Sequence, residues 1–388
     1  RVARADRRTG ASPKPPPPVP VGMRLLNTET LKAGAGVKSV IFDNNQSFLY
    51  AFNLEGMSIM EFEQSSRLRT RTLYFKKTPA RGFDYQRDRW INSWEEKPVE
   101  GCLSHNGKYL WASLHNAGGI VAWNLEGADS LLTGNYKQAV AVHYDGRREQ
   151  TRLKFIKTAT TPKVILPGTG GKYLYVSNWH DNSLSVVDIE GSSPADWYLM
   201  KNLPTGSVPR GICSIPGTGK LVVANMGGGS VSVINTYSME QEHKRVVGTT
   251  PRHLIASGDY LYASLSQPEK IVKMDLQTLE PLLEARTADD PRTIAFSRDS
   301  TLIFATCYNG QKLQVFTADS LKLLGTWNAA GKPVGVDIWQ KGKQLEAWVC
   351  NYTIGTIKIF SFEILYAEEK KPRAVASMEP PAANTTLP

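Results

Sequence analysis

Five prolines recur along this chain at nearly even intervals, each opening a short apolar run. The strings TPKVIL, VPRGIC, TPRHLI and DPRTIA contain Pro162, Pro209, Pro251 and Pro291, which are 47, 42 and 40 residues apart. Pro333 in KPVGVD follows 42 residues later, and Pro98 in KPVEGC precedes Pro162 by 64. Val37 in GVKSVIF holds the proline position of a degenerate copy, which makes seven copies. Periodicity on this scale means that one supersecondary unit is stacked repeatedly.

The unit is all strand. After each anchor comes an apolar run, a turn with Gly, Asp or Asn, and a second run such as KYLYVSN (172–178), KLVVAN (220–225) or LIFATC (302–307). A third run alternates, as in SLSVVDI (183–189) and SVSVIN (230–235), and a fourth precedes the next anchor, as in LKLLGTW (321–327). Period-two patterning with turn punctuation is a strand signature, and no helical period competes with it. Four short strands in about 42 residues, repeated, describe one blade of a β-propeller. The expectation is an all-β fold with a single seven-bladed propeller over 23–366. Residues 24–38 match the end of copy six in strand–turn–strand order, so 24–34 are expected to supply the outer strand of blade seven. That pairing would leave no open edge between the chain ends.

The stretches YLYVSNWHDNSLSVVDI (173–189) and LVVANMGGGSVSVINT (221–236), with the Pro-Arg pairs at 209–210, 251–252 and 291–292, resemble the YVTN-type propeller repeats of bacterial and archaeal envelope proteins. WD40 signatures are missing. The resemblance implies the fold and an envelope setting, periplasmic, secreted or at the cell surface. It implies little about function, because propellers host many unrelated ones. The chain begins at Arg1, so a removed signal peptide is the expectation that fits this setting. No apolar run approaches the roughly 20 residues of a membrane helix, so an integral membrane protein is not expected.

The net charge of +10 is localised. Residues 1–22 carry +4, 67–97 carry +5 and 136–157 carry +4, which leaves the remainder at −3. Pro-rich stretches at 12–22 and in 367–388 read as flexible tails. Cys102, Cys213, Cys307 and Cys350 lie in apolar runs and read as buried thiols. Only Cys307 and Cys350 are placed to form a disulfide, and none is expected.

Two repeat positions should converge at one end of the propeller, the mouth of its channel. The first follows the anchor and is basic in five copies: Lys38, Lys163, Arg210, Arg252 and Arg292, with Val99 and Val334 in the others. Cations gathered around one opening call for an anion or for neutralising carboxylates. The alternative is that each guanidinium bonds carbonyls of the neighbouring blade. The second position closes the second strand and holds Asn53, Asn178, Asn225 and Asn351. Asn178 and Asn225 are candidate ligand contacts; the alternatives are turn-tying, or a metal shell with Glu55, Asn116 and His180. No HExxH, GxSxG or phosphate-binding loop appears, so neither catalysis nor a cofactor is expected.

Two insertions lengthen the first copies. Residues 76–97 carry Arg81, Phe83, Tyr85, Trp90 and Trp94 and read as a partner-binding loop at the mouth. Residues 134–151 are expected on the outer side, ahead of blade two's outer strand. The leading reading is a noncatalytic module that binds a protein, or an anionic glycan or peptide, at the mouth. A propeller lactonase or hydrolase with a channel metal and a nucleic-acid binder are the alternatives.

Overall fold

The computed structural model describes residues 18–84, 87–127 and 134–367. Every anchor opens a strand: Val37–Phe42, Pro98–Ser104, Pro162–Pro167, Pro209–Ile215, Pro251–Ser257, Pro291–Phe296 and Pro333–Lys341. Proline suits the first residue of a strand, where no ladder donor is missed. Each first strand pairs antiparallel with a second and that with a third, which gives seven blades. First strands of consecutive blades touch, and Pro333–Lys341 touches Val37–Phe42, so the inner ring is continuous. The protein is a seven-bladed β-propeller.

Blade seven takes its outer strand from the other end of the chain. Pro20–Lys32 runs antiparallel to Thr356–Tyr366, with Arg24 opposite Glu363 and Lys32 opposite Thr356. The tail boundary at residue 22 is therefore corrected, since the strand already begins at Pro20. The rest of the N-terminal tail, through residue 17, and all but Ala367 of the C-terminal one lie outside the described residues.

The core lies between blades. Val222, Val231 and Val233 of blade four pack with Leu254, Leu261 and Met274 of blade five. Trp348, Ile357 and Ile359 of blade seven pack with Val37, Val40 and Leu49 of blade one. Each such side chain contributes about 1.5–3 kcal/mol on burial. All four cysteines are buried free thiols. Among the described residues no helix is long and apolar enough to cross a membrane.

A buried hydroxyl joins neighbouring blades. Ser113, Ser177, Ser264 and Thr306 each donate to the carbonyl just past the next blade's anchor, those of Lys163, Arg210, Arg292 and Val334. The Ser177–Arg210 bond is 2.7 Å long, and Ser177 is fully buried. Ser177→Ala should cost about 1–3 kcal/mol by leaving that carbonyl unpaired. Urea unfolding checks this; an unchanged midpoint would show that the bond does not matter.

The insertion at 134–151 is not an appendage. Tyr136–His143 is a strand between Arg69–Phe75 of blade one and Arg148–Lys157 of blade two, and it fuses the two blades into one nine-stranded sheet. Residues 148–151 already belong to blade two's outer strand. Ala139 and Ala141 turn inward onto Leu73 and Leu153, which explains the period-two pattern of YKQAVAVH.

The insertion at 76–97 is a hairpin rather than a loop, with Pro79–Asp84 paired to Arg89–Trp94. Both insertions act together at its base. Lys137 of the fusing strand bonds wholly buried Glu96 at 2.9 Å and also Glu95, while Glu96 accepts the Thr78 N–H at 2.8 Å. Burial disfavours the Lys137 ammonium, but those carboxylates outweigh it and raise its pKa.

Candidate functional site

Backbone geometry brings the two repeat positions together. In all seven blades the N–H just past the second strand donates to the carbonyl just before the anchor, as from Trp179 to Thr161, Met226 to Val208 and Tyr308 to Asp290. Strand exit and strand start therefore share one end of the ring, the proline end. Each first strand also carries a register shift immediately after its anchor. A bulge re-aims the side chain it carries. With the backbone carbonyls of Lys163, Arg210 and Arg292 bound to the neighbouring blade, their side chains are left to reach elsewhere.

They reach the other cations. Lys38, Lys163, Arg210, Arg252 and Arg292 lie close enough to act electrostatically on one another. Arg210 donates to Glu100 at 2.8 Å, and Arg292 holds Asp290 through Nε and Nη2 at 3.0 and 2.6 Å. Lys163 Nζ shares a hydrogen bond with His115 Nδ1 at 3.0 Å and lies 4.2 Å from the Trp179 ring centre. Lys38 lies over Tyr352, and Arg292 stacks on Tyr308. None of the five spans to a neighbouring blade's carbonyl in these contacts, so the guanidinium–carbonyl alternative is not the arrangement found.

Burial, then Arg210, Arg252 and Arg292, lower the Lys38 pKa to about 7. Burial followed by Arg210 and Lys38 holds Lys163 well below the usual lysine range. His115 is pushed well down by burial and by Lys163, and His253 falls to about 4, chiefly through burial. Arg252 is depressed by burial, Arg210 and Arg292. A guanidinium keeps its proton in proteins, so there the penalty stays as an uncompensated charge.

Asn178 and Asn225 do not belong to this site, which corrects the sequence reading. Both are fully buried, and each donates to two serines of its own blade, Ser183 and Ser185 or Ser230 and Ser232. Asn225 Oδ1 also takes the Gly206 N–H at 2.9 Å. They tie turns. Strand alternation turns the following residue the other way, and this is the one that meets the cations: Trp179, Met226, Tyr308 and Tyr352. The metal-shell alternative is likewise not assembled. Glu55 binds Lys97 and takes the Tyr352 hydroxyl, Asn116 ties Ser93 and the Trp94 carbonyl, and His180 pairs with Thr161.

Glu100 and Asp290 were missed as members of the site. Asp290 stands in the quoted DPRTIA string one residue before its anchor. Glu100 stands one residue beyond the slot that Val99 fills, and the bulge between Pro98 and Gly101 spans both.

The hairpin stands at the same end. Arg81, Phe83 and Trp90 wall a cavity of about 690 Å³ whose other side is His115, Asn116, Thr160, Thr161, Lys157 and His180. Phe83 meets Trp90 edge-on at 5.4 Å, and Trp90 is 62% exposed. Trp94 lies beside Lys77, outside that cavity wall, and Tyr85 lies outside the described residues.

The β-propeller domain of Cps50 (Swd1) from Myceliophteria thermophila superposes with a TM-score of 0.62, covering 86% of this chain and 99% of that domain. Sequence identity is 15%. The likeness is one of fold. No family model matches the chain, and no curated protein matches it, so the resemblance to YVTN-type repeats has no match behind it.

Proposed function

We propose that this propeller is a noncatalytic binding module that takes a protein partner, or the anionic peptide or glycan part of one, at the proline end beside the hairpin. The carrying observation is the cavity under the hairpin, aromatic on one wall and bordered by the loops that hold the cation ring. Exposed Trp with nearby Arg is the composition of binding hot spots. The ring cations are buried or partly buried, so they are not laid out along a surface as a nucleic-acid backbone requires. An envelope location belongs to the same proposal, and fractionation of the host cell tests that part.

A peptide library selected on the whole chain tests the docking site. Trp90→Ala and the double variant Arg210→Ala/Arg252→Ala should each weaken selected acidic peptides about tenfold or more, equivalent to roughly 1.4 kcal/mol. Peptides that bind both variants as tightly as the parent chain would move the docking surface elsewhere.

A further inference from the structure

We infer that the inner ring is a built oxyanion site, with Arg252 as its recognition group and Arg210, Lys38 and His253 around it. This deepens the docking reading and rests on it for the shared Arg210 and Arg252, but it concerns the interior of the ring and is tested with free anions. Arg210 and Arg292 each have a carboxylate; Arg252 has none. Arg252 is only 8% exposed, and its Nε is buried with no hydrogen-bond partner. Its Nη1 reaches only the Met226 thioether, at 3.5 Å, and a thioether is a weak acceptor. Next to it, His253 Nδ1 is also buried and unpartnered.

Water could satisfy these hydrogen-bonding atoms but not the charge. Arg210 and Arg292 act on Arg252 beside Glu100 and Asp290, and each of those two carboxylates is already held by one of those two arginines. A bound anion answers both needs, since charge-assisted bonds from a guanidinium are the strong ones. A cavity of about 680 Å³ reaches Arg252 past Thr250, Ser266, Gln267 and Asn309. Its further carboxylates, Glu269 and Asp289, are exposed and therefore screened by solvent. The shared chemistry is a sulfate, phosphate or carboxylate group, free in solution or borne by a partner.

Lys38 gives the site a second signature. It faces Arg210, Arg252, Arg292, Lys163, His115, Glu100, Cys350 and the Tyr352 ring. A bound anion favours its charged form. Below pH 7 the proton is already present; above it, binding must take one up, so affinity falls by up to about tenfold per pH unit.

The test is thermal unfolding and calorimetric titration of the whole chain with sulfate, phosphate and acetate against chloride at fixed ionic strength. The expected result is saturable stabilisation, about a hundredfold in the folding constant at 100 times Kd. Stabilisation by sulfate or phosphate assigns a free oxyanion, and stabilisation by acetate alone assigns a partner's carboxylate. Arg252→Met should abolish the increment while remaining as stable as the parent in chloride, because it removes an unpaired buried charge. Arg252→Gln, closer in polarity, should lose the increment equally and serves if the methionine variant does not fold. No stabilisation by any of the three anions, or an increment retained in either variant, overturns the site. Affinity that is flat with pH across 7 to 9 removes Lys38 from it.

Discussion

Replacing Glu96 by alanine should cost this protein about 3 kcal/mol of unfolding free energy, because it removes a buried carboxylate that holds both Lys137 and the Thr78 N–H. Glu96 is fully buried and holds Lys137 with one oxygen and the Thr78 N–H with the other. Removing it leaves Lys137 with Glu95, whose side chain is a third exposed, and opens the join between the hairpin and the fusing strand. Urea unfolding measures the loss. The comparison is Lys172→Ala at an exposed pair with Glu190, which should leave the unfolding midpoint almost unchanged. A Glu96→Ala loss as small as that would mean the hairpin is anchored by other contacts.

Glu100→Gln is the second large effect. Arg210 is nearly buried and has Glu100 as its ion-pair partner. A neutral amide there takes away the carboxylate that Arg210 pairs with and leaves it among Lys38, Arg252 and Arg292. A loss of about 3 kcal/mol in chloride is expected. Sulfate should restore more of it than it adds to the parent chain, because the ring has become more positive. Equal sulfate increments in the two proteins would separate Glu100 from the anion site.

The repeat made the blades legible because anchor, alternation and turn residues recur in register along the chain. Its anchors are the first residues of the seven inner strands. The fusing strand was hidden because its pairing depends on Arg69–Phe75, far away in sequence, and no local pattern reports which edge an added strand will join. The site was legible to within one residue. Asn178 and Asn225 drew notice by recurring, yet alternation points them into the blades and sends Trp179 and Met226 toward the cations. Glu100 escaped because a bulge lets either of two consecutive residues face inward, and only Val99 aligned with the basic slot. The hairpin's aromatic content was visible, but its buried anchor, Glu96 on Lys137, joins two insertions that sequence spacing does not connect.

A crystal of the whole chain soaked in selenate would locate an anion in the ring without a partner or a variant. An anomalous peak is expected inside the ring, within hydrogen-bonding distance of Arg252 Nε, with the guanidinium still beside Met226. An inner ring holding only water under saturating selenate, with Arg252 Nε bonded to that water, would contradict the anion site.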